Sequence, residues 1–169
     1  MYSKMNCFKF LENRLKMQVR VRNLDPCRRM STIFALSSGR GKCGVGVFRI
    51  SGQNAQAAIT QMAKAPLMPS PRMAVLRSLY HPQSNELLDR GLVLWFPGPG
   101  SFTGEDCVEL QVHGGPAVLA AVSRALACLP HFRPALPGEF TRRAFANGKL
   151  DLTGVEGLAD LLNAETEAQ

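Results

Sequence analysis

Hydrophobic and polar positions alternate one for one from Cys107 to His113, with Val108, Leu110 and Val112 set against Glu109, Gln111 and His113. In a strand, that period sends the apolar set into a core and the polar set onto the opposite face. Thr32–Leu36 and Gly44–Ile50 also read as strands, the second with Val45, Val47 and Arg49 on one face. Ser51 or Gly52 opens a helix through Ala55–Lys64 that Pro66 ends. Ala74–Tyr80 and Gly91–Phe96 read as a long hairpin around the turn HPQSNE. After Pro116, at a first helical position, the period lengthens to three and four. Ala117–Cys128 is therefore predicted to be a helix with Val118, Val122, Ala125 and Leu129 as its buried stripe. Phe132–Ala135 follows as a last strand, and 138–146 as a short Arg-rich helix. Thr153 is the expected cap of a final helix beginning at Gly154.

Strands mixed with helices, without strict βαβ alternation, predict an α+β fold: a mixed sheet with flanking helices. Residues 31–150 fit one domain. The last helix, with an apolar stripe of Val155, Leu158, Leu161 and Leu162, is still running at Gln169. It reads as the first helix of a second, helical domain over 151–169, truncated here.

Charge changes this picture only at the N-terminus. Eight of the 20 basic residues but only two of the 13 acidic ones fall in 1–30, so the rest of the chain is near neutral despite a net charge of +7. The folded part is thus not a nucleic-acid binder by charge alone. The basic leader carries Phe8, Leu11, Leu15 and Val19 at helical spacing, the composition of an organellar transit peptide, although Ser3 is its only serine. A basic tail is the plainer alternative. No apolar run reaches the length needed to span a bilayer. The five cysteines are odd in number, widely spread and without CxxC or Cys/His ligand spacing, which favours free thiols over a disulfide frame or a metal site.

The stretch PGPGSFTGEDCVELQVHGGP (97–116) sets a carboxylate, an amide and an imidazole in one row between glycine-rich loops, the floor of a small-molecule site. Glu109 in mid-strand must be paired. Arg49 on a neighbouring strand or a bound ligand would each do, and pattern alone does not separate them. A pteridine offers an exocyclic amine and a ring N–H that one carboxylate can accept together. His113 has no placed nucleophile to serve, so a structural role outweighs general-base chemistry, and no catalytic residue is assigned. SGRGKCG is not a Walker A loop, because Cys43 stands where Ser/Thr is needed and a strand follows. TRRAFANGKLDL (141–152) reads as a solvated basic helix capped by Gly148, or more sharply as a device aiming Lys149 into a pocket.

Three segments then carry a resemblance: TIFALSSGRGKCGVGVFRISG, LDRGLVLWFPGPGSFTGEDCVELQVHGGP and PGEFTRRAFANGKLDLTGVEGLADLLNAETEAQ. The resemblance extends over essentially all of 31–169, and these segments are its motifs. They resemble the N-terminal part of the tRNA-modification GTPases of the MnmE/TrmE type, nearest the mitochondrial animal branch through GEDCVE and FANGKL. The resemblance implies a fold akin to the tetrahydrofolate-binding domain of aminomethyltransferases, homodimerisation, and a mitochondrial matrix location. It implies 5-formyltetrahydrofolate or 5,10-methylenetetrahydrofolate as one-carbon donor for C5 of the wobble uridine of tRNA. Arg49, Glu109 and Lys149 match the family's folate-site positions, which tips Glu109 toward a ligand. An FAD-dependent MnmG-type partner and a G domain binding GTP, K+ and Mg2+ belong to the full-length family pattern. No G-domain motif lies in this stretch. The other readings are a stand-alone folate-dependent one-carbon transferase and a non-catalytic interaction fragment.

Overall fold

The computed structural model describes residues 31–38, 43–65 and 67–163. The basic leader, the glycine loop 39–42, Pro66 and 164–169 lie outside these residues.

Six strands form one sheet: β1 (Thr32–Leu36), β2 (Val45–Ser51), β3 (Val75–Tyr80), β4 (Leu87–Phe96), β5 (Cys107–His113) and β6 (Phe132–Pro134). Their order is β3-β4-β5-β2-β1-β6, antiparallel throughout except for the parallel β1–β6 pair. Helices α1 (Pro116–Ala127), α2 (Glu139–Ala146) and α3 (Leu152–Asn163) follow the strands or lie between them. The predicted α+β fold with a mixed sheet is the fold observed.

The alternation does what it implies. Phe48 and Ile50 of β2, Val108, Leu110 and Val112 of β5, Val93 and Trp95 of β4 and Leu79 of β3 are all buried on one face. Val122, Ala125 and Leu126 of α1, with Leu129 beyond it, pack against that face. Leu126 thus takes the place expected of Val118, which is only partly buried. The opposite face stays open at its centre. Gly91 lets β4 and β5 approach closely: a Cβ there would lie 2.2 Å from the Gln111 carbonyl oxygen.

Several boundaries differ from expectation. The segment after β2 is a short π-helical turn, Ala58–Met62, rather than a helix through Lys64. It buries Ala55, Ala58, Ile59 and Met62 completely, and the chain leaves it through Lys64 in the left-handed region (φ 48°). β4 starts at Leu87, four residues before Gly91, because its register with β3 continues to the turn. Helix α3 starts at Leu152, and its cap is Asp151, not Thr153: Asp151 Oδ1 accepts from the Gly154 N–H at 2.7 Å.

Candidate functional site

Arg49 and Glu109 face each other in the β2–β5 register. Arg49 Nε donates to Glu109 Oε1 at 3.0 Å, so the cross-strand pairing allowed by the sequence is present. The pair is half-open, with side-chain exposures of 38% and 20%. It is also unfinished. Among the described residues Glu109 Oε2 and both Arg49 Nη atoms have no hydrogen-bond partner. The Arg49 guanidinium lies 5.9 Å from the Phe102 ring centroid, and Phe102 belongs to the loop between β4 and β5.

Lys149 reaches the same loop from the other side. Helix α2 ends in a Schellman motif: Gly148 (φ 69°) donates to the Phe145 carbonyl and Lys149 N–H to the Ala144 carbonyl at 2.8 Å. The turn expected at Gly148 is therefore real, and it sends Lys149 Nζ to the Pro99 carbonyl oxygen at 3.0 Å. Asn147 Nδ2 donates to the Thr103 carbonyl at 2.7 Å. Gly104, at φ 78°, sits against Asn147 and Lys149, where a Cβ would meet Asn147 Cβ at 3.0 Å. The structure thus joins Arg49 directly to Glu109, and joins Lys149 to them only through loop 97–106.

Helix α2 is not the solvated basic helix favoured by its composition. Arg143 is 8% exposed, and its Nη1 bonds Glu105 Oε1 and Oε2 at 3.2 and 2.9 Å. Glu105 also accepts from Ser51 Oγ at 2.7 Å, and Ser51 meets Thr103 Oγ1 at 2.7 Å. Glu139, 3% exposed, takes Arg133 in a two-pronged grip at 2.6 and 2.9 Å and the Leu136 N–H at 2.9 Å. Burial alone would raise its pKa, but the Arg133 and Leu136 hydrogen bonds and the charges of Arg133 and Arg143 bring it down to about 2. Sequence reasoning missed this network. The Glu139–Arg142 and Glu139–Arg143 spacings of three and four were the available signal, since such pairs share a helix face.

His113 is tied to Asp89. Its N–H donates to Asp89 Oδ2 and its Nδ1 lies 2.8 Å from Oδ1, with the imidazole 73% exposed. Burial pushes the Asp89 carboxyl up, but hydrogen bonds from His113 and Arg90 outweigh it and leave the carboxyl below its ordinary value. Beside this pair an open cleft of about 170 Å³ is lined by Val45, Leu76, Arg90, Leu92, Gln111 and His113 among others. A cleft of about 360 Å³ between β1 and α1 has Ser123 as its only polar side chain and offers no chemistry. Cys43, Cys107 and Cys128 are free thiols. Among the described residues there is no group of three or more metal-ligating side chains and no helix long and apolar enough to cross a membrane.

The fold and this face define an α+β domain whose open sheet surface presents an incompletely paired carboxylate beside cationic side chains. The chain belongs to the family described as the GTP-binding protein TrmE N-terminus, whose model matches residues 32–149. It is 64% identical over 138 residues to the zebrafish (Danio rerio) mitochondrial 5-taurinomethyluridine-[tRNA] synthase subunit GTPB3, covering 82% of this chain and 27% of that protein. Identity to the human (Homo sapiens) protein of the same name is 63% over 139 residues, with 82% and 28% covered. The bacterial tRNA modification GTPase MnmE of Novosphingobium aromaticivorans is 60% identical over 138 residues, with 82% and 31% covered. The chain therefore spans only about a third or less of the length of these relatives.

Proposed function

We propose that residues 31–150 form the tetrahydrofolate-binding and homodimerising domain of a mitochondrial tRNA-modification GTPase. The observation that carries this reading is the half-finished pair on the sheet. Glu109 is half-buried, which favours pairing of its charge, yet Arg49 satisfies one oxygen only. A reduced pteridine brings two adjacent donors, an exocyclic amine and a ring N–H, to such a carboxylate. The free Arg49 Nη atoms and Lys149 supply cations for the formyl oxygen or the glutamyl tail. The ligand is 5-formyltetrahydrofolate or 5,10-methylenetetrahydrofolate, which donates the one-carbon unit for C5 of the wobble uridine.

The names of the relatives support the wider setting. Two are named mitochondrial 5-taurinomethyluridine-[tRNA] synthase subunits and one a tRNA modification GTPase. In that setting the domain acts within a longer protein whose G domain binds GTP, K+ and Mg2+. It works with an FAD-dependent MnmG-type partner on mitochondrial tRNA in the matrix.

Calorimetric titration of 5-formyltetrahydrofolate tests the site. Saturable binding is expected, and Glu109→Ala should weaken it by thirtyfold or more, about 2 kcal/mol, since a charge-assisted contact is lost. Equal affinity of wild type and variant would remove Glu109 from the site.

A further inference from the structure

We propose that the cleft formed by Arg90, Gln111 and His113 holds the glutamyl carboxylates of the folate whose pteridine sits at Glu109. This assignment rests on the folate reading above.

The open sheet face is built in three successive rows. The first crosses Arg49, Glu109 and Leu94; the second crosses Val47, Gln111, Leu92 and Leu76; the third holds Val45 opposite His113 on one side and Arg90 opposite Ser78 on the other. Same-face residues on a strand are about 7 Å apart, so Glu109 and His113 are separated by about 14 Å. A reduced folate has three parts in the same order: a polar ring, an apolar aminobenzoyl linker and an anionic glutamate. Its carboxylates lie a comparable distance from the donor edge of its ring.

Each row offers chemistry suited to one part. The second row is apolar apart from Gln111, and Leu76 and Leu92 are exposed at 48% and 37%, which suits an aryl ring. The third row turns cationic. The Arg90 guanidinium and the Gln111 amide make no hydrogen bond with any described residue, yet both line the same cleft of about 170 Å³. A guanidinium with five donors and no acceptor is the natural partner of a carboxylate. His113 closes the rim, fixed in place through its N–H and Nδ1 by Asp89. The sheet register thus orders groups that the sequence places on separate strands.

The test compares 5-formyltetrahydrofolate with 5-formyltetrahydropteroate, which lacks the glutamate, on the full chain and on Arg90→Ala and Gln111→Leu. Circular dichroism checks that each variant folds. Removing the glutamate should weaken binding to wild type about tenfold. Arg90→Ala should weaken the folate by a similar factor and leave the pteroate unchanged, a coupling that a merely structural role would not produce. Equal binding of both ligands to wild type would overturn the tail assignment while leaving the pteridine site standing. So would an Arg90→Ala loss that is the same for both ligands. Failure of both ligands to bind wild type would instead remove the folate reading and this assignment with it.

Discussion

Arg143 Nη1 bonds both oxygens of Glu105, 2.9 Å from Oε2 and 3.2 Å from Oε1, across a sequence separation of 38 residues. This bond fastens helix α2 to loop 97–106, the loop that carries Phe102 to Arg49 and Pro99 to Lys149. With Arg143 only 8% exposed, removing it leaves Glu105 and Glu139 short of countercharge in a water-poor setting. Breaking a buried pair in this way costs about 3–5 kcal/mol. Arg143→Ala should lower the melting temperature by roughly 10 °C or more. Arg143→Lys, which keeps the charge but not the fork, should lose less. Thermal unfolding followed by circular dichroism reads both, and an unshifted midpoint in Arg143→Ala would contradict the role.

Acid should weaken the domain through Glu139. Its folded pKa of about 2 lies below the ordinary value of 4.5, so its contribution is complete above pH 4.5 and is lost as pH falls toward 2. Asp89, also lowered, acts with the same sign. Urea unfolding should show a loss of about 2 kcal/mol from Glu139 between pH 6 and pH 3. In Glu139→Gln that share of the pH dependence should vanish, on a lower stability overall. A variant as acid-sensitive as wild type would refute this.

The Arg49–Glu109 pair should matter little for folding. Pairs this exposed contribute about 0–1 kcal/mol. Glu109→Ala should therefore keep its melting temperature within roughly 5 °C of wild type. A collapse of the fold in this variant would mean that the pair is structural, and a calorimetric loss of folate binding would then say nothing about contact.

Lys149 should be sensitive to the turn that presents it. Gly148 sits at φ 69°, where an L-residue is strained by about 1–2 kcal/mol. Gly148→Ala should destabilise the domain by about that amount. Lys149→Ala, at an exposed position, should leave stability unchanged. Both should weaken 5-formyltetrahydrofolate, Gly148→Ala by displacing the ammonium and Lys149→Ala by deleting it. Wild-type affinity in Lys149→Ala would exclude this side chain from the site.

Much of the architecture is legible in one dimension because period and face are local properties. The strict alternation over 107–113 placed Val108, Leu110 and Val112 in the core, and Pro116 marked the start of α1. The Gly148 turn could also be read, since a glycine just past a helical segment is the common C-terminal stop, and its φ of 69° bears that out. Even the Arg49–Glu109 partnership was within reach, because a mid-strand carboxylate calls for a partner and Arg49 is the cation on a neighbouring predicted strand. The α2 arginines were not, since composition describes a helix as solvated unless its partners are known. Glu105, Ser51 and Arg133 lie on other elements, and Arg143 and Glu139 were buried only when those elements closed around them. The chain itself thus determined which side chains share a face, through the strand and helix periods. Tertiary structure alone decided which faces meet, because strand order and helix docking depend on burial and charge pairing between residues far apart in sequence.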